Sequence, residues 1–230
     1  MTGQPGIQDS STIEAVVFDV GETLVDETAI WGDWADWLGV PRLAFFGALG
    51  AVIARGGDHR EVFDLVRPGI DLAAEERARL AAGRRAFTTA DDFYPDAIPC
   101  LRELVDAGLR VGIAGNQPAA TEDVLHGIGL PLALVASSER WGLAKPDGGF
   151  FRRIADELGL PPRGIAYVGD RLDNDIGPAA AAGMAAIFVR RGPWGIIQSA
   201  RVDPRALGAT AVIESLAELP GILASIEGRV

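Results

Sequence analysis

The sequence predicts a doubly wound parallel α/β sheet carrying one inserted α-helical segment, on three observations. Six short apolar runs, at residues 15–20, 110–114, 132–136, 164–169, 185–189 and 211–213, are near-continuous rather than alternating. That is the pattern of parallel strands covered on both faces. Helical periodicity fills most of the gaps between them, which makes the chain an α/β alternation. One stretch, residues 27–94, breaks the alternation: it holds helical pattern and turns at Gly56-Gly57 and Pro68-Gly69, with no strand-like run.

Taken in order, the start MTGQPGIQDSST is polar and reads as a loose tail over residues 1–12. In the first strand the run Val16-Val17-Phe18 stops at Asp19, and the turn Val20-Gly21-Glu22-Thr23 follows. The insertion comes next, with Tyr94-Pro95-Asp96 as its return hinge. The core is therefore expected over residues 1–26 and 95–230, with a helical cap over 27–94. A cap inserted there would stand above the carboxyl edge of the sheet, where a lid belongs. A second structural domain with no part in chemistry is the plainer reading. Trp31, Trp34 and Trp37 recur at every third residue, and packing of a small helical core is a commoner reason than an aromatic substrate wall. Residues 97–107 set Ile98, Leu101, Leu104 and Val105 on one helical face, with Pro99 in the first turn and Gly108 as the stop. A further helix is expected to begin at Pro118, and residues 148–158 gather Phe150, Phe151, Ile154 and Leu158 ahead of Gly159.

The 230 residues are 48% hydrophobic, with a mean hydropathy of +0.18 and a formal net charge of −11. So acidic a chain is a poor partner for nucleic acid or an acidic membrane surface. No apolar run approaches the ~20 residues of a membrane span. The start lacks a charged-then-apolar signal layout, and the lone Cys100 fits a reducing compartment. A cytoplasmic protein is expected.

An acid at the carboxyl end of a buried strand is costly to desolvate unless a charge or metal meets it. In open α/β sheets, ligands bind at that edge. Asp19 is thus a site candidate, against the plainer reading of an Asp that caps the next turn. The second strand ends in Ile113-Ala114-Gly115-Asn116, which offers backbone amides and an amide side chain. Gly142-Leu143-Ala144-Lys145-Pro146-Asp147 sets a lysine at the entry to the next helix. The fourth strand ends in Tyr167-Val168-Gly169-Asp170, followed by Arg171-Leu172-Asp173-Asn174-Asp175. A carboxylate nucleophile, a lysine, amide donors and further carboxylates would converge on one crevice. A buried Lys145–Asp170 pair of purely structural kind is the alternative. His59 and His126 lack metal-ligand partners at useful spacing, and Arg84-Arg85 reads as a solvated helix face.

That order of motifs resembles the haloacid dehalogenase (HAD) superfamily over nearly the whole chain. Asp19 and Thr23 match its first motif, Lys145 in GLAKPD its third, and Gly169, Asp170 and Asp175 in VGDRLDND its fourth. The helical insertion resembles the family's cap. The resemblance implies a Rossmann-like parallel sheet and a phosphohydrolase that uses Mg2+ and an Asp nucleophile on a small phosphorylated metabolite. By that analogy Asp19 and Asp170 supply carboxylate oxygens to the metal and Gly21 its backbone carbonyl, while Thr23 and Asp175 stand behind them. Lys145 offsets repulsion between Asp19 and the incoming phosphate, and amides at Gly115 and Asn116 hold phosphate oxygens. Such a site suits phosphoryl transfer, which needs oxygen charge neutralised and groups held in line.

Two positions depart from the pattern. Gly21 stands where the family's phosphatases place a general acid/base Asp, and Gly115 where they place Ser or Thr. Loss of an acid/base costs about 10²–10⁴-fold, against total accelerations of about 10⁶–10¹⁷, so a slow hydrolase is still expected. Glu22 is the obvious replacement in sequence, although an adjacent residue in a turn points elsewhere. A large gain of rate in Gly21→Asp would show that the rest of the machinery is intact and only the acid is missing. The alternatives are a catalytically impaired HAD-fold binding or regulatory protein, and a dehalogenase- or phosphonatase-type hydrolase, whose members also lack that Asp.

Overall fold

All four residues of β1 (Ala15–Phe18) are buried, and the strand runs between two neighbours at the centre of the sheet. The structure is a computed structural model describing residues 12–85 and 88–227; of the tail expected over residues 1–12, only Thr12 falls within them. With β1, the strands β2 (Arg110–Gly115), β3 (Leu134–Ser137), β4 (Ile165–Gly169), β5 (Ala185–Val189) and β6 (Ala209–Ile213) form one sheet in the order β3-β2-β1-β4-β5-β6. Every pairing is parallel, and Phe18 lies level with both Ile113 and Val168. Each of the six apolar runs contains a strand, with ends that match or shift by at most two residues.

The helices in chain order are α1 (Thr28–Leu38), α2 (Arg42–Ala54), α3 (Glu61–Val66), α4 (Leu72–Ala81), α5 (Ala97–Asp106), α6 (Thr121–His126), α7 (Ser138–Trp141), α8 (Gly148–Leu158), α9 (Gly177–Ala181), α10 (Gly192–Ser199) and α11 (Leu219–Glu227). The period-2 alternation of β1 feeds two cores. Val16 and Phe18 pack with Leu101 and Leu104 of α5 and Leu219 of α11. Ala15 and Val17 pack on the other face with Phe150, Phe151 and Ile154 of α8. Burial on both faces is what makes the strands read as continuous apolar runs.

Helices α1–α4 enclose a third core of Trp34, Phe45, Val52 and Phe63, and Trp194 of α10 completes it. Trp34 packs edge-on to Phe63 at 4.7 Å between ring centres. The outgoing and returning chains pair where they cross between sheet and insertion. The Asp26 amide donates to Asp92 O at 2.8 Å, and the Tyr94 amide to Leu24 O at 2.9 Å. Among the described residues no single helix is long and apolar enough to cross a membrane; α1 and α2 meet that test only jointly, bent by 115°.

Candidate active site

Beyond β1 the sheet continues to β2 and β3, and beyond β4 to β5 and β6, so the carboxyl ends of β1 and β4 flank the crevice where an open α/β sheet binds its ligands. Asp19 follows β1 there, its amide donating to Val168 O at 2.9 Å. Asp170 follows β4. Lys145 reaches Asp19 and Asp175: its Nζ is 2.7 Å from Asp19 Oδ1 and 2.6 Å from Asp175 Oδ1, with only 1% of its side chain exposed. The pair expected as a structural alternative, Lys145 with Asp170, is not the one that forms.

Two local devices deliver these groups. Asn116 and Lys145 bond reciprocally: Asn116 Nδ2 donates to Lys145 O and the Lys145 amide donates to Asn116 Oδ1, both at 2.8 Å. The Lys145–Pro146 peptide bond is cis. The Asn116 side chain thereby positions the lysine loop. After Asp170 the backbone makes a wide turn in which the amides of both Asp175 and Ile176 reach Arg171 O, at 3.0 and 3.1 Å. That turn swings Asp175 back toward Lys145 and lets the Arg171 amide donate to Asp175 Oδ2 at 3.0 Å. Turns of this wide type recur at functional sites.

Glycines make room for the carboxylates. A Cβ on residue 169 would collide with Asp175. A Cβ on residue 115 would fall 2.5 Å from Asp19 Oδ1, and one on residue 21 would fall 2.5 Å from Glu27 Oε1. Both departures from the family pattern are thus positions where a side chain and an acid compete for one space.

Electrostatically the crevice is acidic around the buried Lys145, with Arg60 and Arg171 also on its wall. Burial opposes the charge on Lys145, but Asp175 and Asp19 outweigh it and hold the ammonium well above its usual range. Burial, then the charge of Asp175, pushes Asp170 well up. Burial likewise raises Asp175 to about 6, against the pull of Lys145. Among the described residues Asp170 Oδ2 is buried with no hydrogen-bond partner, and Thr23 Oγ1 approaches Oδ1 only at 3.5 Å. Single oxygens of Asp19, Asp170 and Asp175 lie within 4.8 Å of one another, a grouping that could hold a metal ion. Both oxygens of Asp175 are already engaged, so Asp19 and Asp170 are the better placed.

The sequence-predicted helix at Pro118 begins instead at Thr121 and runs for 6 residues. The Ala119 amide ahead of it donates to Glu139 Oε2 at 2.6 Å. Arg84 and Arg85 belong to no helix and pair with Asp33 and Asp92.

A cleft of about 220 Å³ opens over Asp19, Lys145 and Asp170, walled by Glu27, Trp31, His59 and Trp194. Trp34 is in the core of the insertion, whereas Trp31 faces the cleft and donates from Nε1 to Glu27 Oε2 at 3.1 Å. Burial and then Arg60 lower His59 to about 4. Burial, then the neighbouring Glu22, raises Glu27 to about 7. Glu22 itself accepts from Tyr94 Oη at 2.6 Å and from the Glu27 amide at 3.0 Å. Sequence reasoning missed Glu27 and His59 as cleft residues. The only signal for Glu27 was its spacing of four from Trp31 at the start of a helix.

Comparison with known proteins gives the same lineage. A stretch of 145 residues is 34% identical to the glyceraldehyde 3-phosphate phosphatase of Methanopyrus kandleri, covering 60% of this chain and 62% of that one, so this chain spans less than two thirds of that relative. The phosphoglycolate phosphatase of Rhodospirillum rubrum is 28% identical over 225 residues, 90% of this chain and 89% of that one. A solved dehalogenase structure with an intermediate complex matches with a TM-score of 0.69 at 21% identity, over 93% of this chain and 98% of that one, a likeness of fold. Residues 13–183 match the family described as haloacid dehalogenase-like hydrolase. With that match spanning most of the chain, the protein belongs to the haloacid dehalogenase-like hydrolases.

Proposed function

We propose that this hydrolase is a phosphohydrolase of small phosphorylated metabolites, with Asp19 as nucleophile and Mg2+ held by Asp19 and Asp170. The observation that carries this reading is the partnerless buried Oδ2 of Asp170 in the same cluster as Asp19. Buried polar atoms are seldom left unpaired, and a hard cation with oxygen ligands completes such a pair while keeping several waters. The donor set fits: carboxylate oxygens, no sulfur, one lysine.

Charge balance points the same way. Two like charges 4 Å apart repel by about 4 kcal/mol at an effective dielectric of about 20. An incoming phosphate meets the carboxylates of Asp19, Asp170 and Asp175 with Lys145 as the ammonium among them, and Arg60 and Arg171 stand on the wall of the cleft. A bound divalent cation would add positive charge beside the carboxylates themselves. Asp19 attacks phosphorus, the bond from phosphorus to the leaving oxygen breaks, and water then hydrolyses the resulting aspartyl phosphate. Helices α1–α4 serve as the cap, setting Trp31 and His59 against the cleft, whose about 220 Å³ suits a small metabolite. The phosphatase names of the two relatives support the substrate class.

Purified protein should turn over an aryl phosphate with Mg2+, lose that turnover on chelation, and lose it in Asp19→Asn. Absence of any aryl or acyl phosphate turnover above the Asp19→Asn background would overturn the reading.

A further inference from the structure

We infer that Glu27 is the catalytic acid and base of this site, standing in space where a residue 21 side chain would stand. The inference rests on the phosphohydrolase reading. A Cβ on residue 21 would lie 2.5 Å from Glu27 Oε1 and 2.9 Å from its Cδ, so the Glu27 carboxylate fills the volume of the absent side chain. It opens on the same cleft as Asp19, Lys145 and Asp170. Trp31 Nε1 fixes Oε2 at 3.1 Å, which leaves Oε1 as the oxygen turned toward residue 21. Glu22, the nearer carboxylate in sequence, is committed to Tyr94 Oη and the Glu27 amide, and its backbone lies at φ 53°. With a side chain on residue 21 the Glu27 carboxylate has to leave this position. Gly21 is then the room that Glu27 takes, and the acid that the family pattern places at 21, and this chain lacks there, is supplied from residue 27.

The proton balance is complete. As Asp19 oxygen bonds to phosphorus, the phosphorus–oxygen bond to the leaving group breaks and the protonated Glu27 carboxyl gives its proton to the departing alkoxide. In the second half the Glu27 carboxylate takes a proton from the water that attacks phosphorus, the phosphorus–Asp19 bond breaks, and inorganic phosphate leaves. Both carboxyl groups return to their starting states.

The test is Glu27→Gln in rapid mixing with Mg2+ and either an aryl phosphate, whose leaving group needs no acid, or glycerol phosphate, whose leaving group does. With the aryl phosphate we expect a burst near one equivalent, then steady turnover reduced by about 10²–10⁴-fold, with a phosphoryl group retained on the Asp19 peptide. Glycerol phosphate should give no burst. Glu27→Ala should fail similarly, and the double variant Gly21→Asp, Glu27→Ala should recover turnover by placing an acid from residue 21. Wild-type rates on both substrates in Glu27→Gln, or equal losses without burst and without rescue by the double variant, would overturn the inference while leaving Asp19-dependent turnover intact. If the wild type itself hydrolyses neither phosphate, the phosphohydrolase reading falls and this inference with it.

Discussion

Lys145 Nζ stands 2.7 Å from Asp19 Oδ1 on a side chain only 1% exposed, and the same ammonium is 2.6 Å from Asp175 Oδ1. One buried cation therefore holds two buried acids in contact range. Removing one partner of such a group costs about 3–5 kcal/mol, because the remaining charges are left uncompensated. Lys145→Met is expected to lower unfolding stability by that order in denaturant titrations and to abolish phosphate turnover. An unchanged unfolding midpoint would show that the acids are neutralised in some other way.

Asp19 leans into space that only a glycine leaves open, since a Cβ on residue 115 would come within 2.5 Å of its Oδ1. The neighbour cannot stay in place beside any side chain. Gly115→Ala is expected to displace Asp19 from Lys145 and reduce aryl phosphate turnover by about tenfold or more, the scale on which small misplacements act. A variant with the wild-type rate would show that Asp19 moves freely without cost.

On the sequence alone, Gly21→Asp tests whether only the acid is missing; the position of Glu27 changes what that variant should do. The new carboxyl group and Glu27 would compete for one place. Gly21→Asp by itself should run at or below the wild-type rate, and a gain should appear only when Glu27 is shortened. Steady-state rates of the single and double variants settle the point.

His59 gives a pH dependence of stability. Burial, and then the charge of Arg60, lower its ring from 6.5 to about 4. Between those values the unfolded chain binds a proton that the folded chain refuses. The contribution is therefore full above the unfolded value of about 6.5 and is lost as pH falls toward 4. His59→Gln should flatten the decline in unfolding stability across that window. An unchanged slope would place the acid sensitivity in other groups.

Much of this was legible in the sequence, for a physical reason. Strands buried on both faces must be apolar at every residue, so β1 and β4 announce themselves, and the residues just past their ends, Asp19 and Asp170, are placed by the sheet itself. Lys145 and Asp175 follow from the same topology. The rest depends on where side chains go after the backbone is laid down. Asn116 looked like a donor to substrate, but its partner is the backbone of Lys145, 29 residues away. Glu27 carries no motif spacing, and its position depends on the Glu22 turn at φ 53° and on Trp31. His59 reaches the cleft through the packing of α2 against α10 and α3, and through its own edge contact with Trp194, contacts that no local periodicity encodes.

Asp19 as the attacking group is tested most directly by an acid quench of wild-type protein during turnover of an aryl phosphate with Mg2+, followed by peptide mapping. A phosphoryl group on the peptide carrying Asp19, absent from Asp19→Asn, is the expected result. Continued turnover with no phosphorylated peptide, or with the phosphoryl group on another residue, would contradict it.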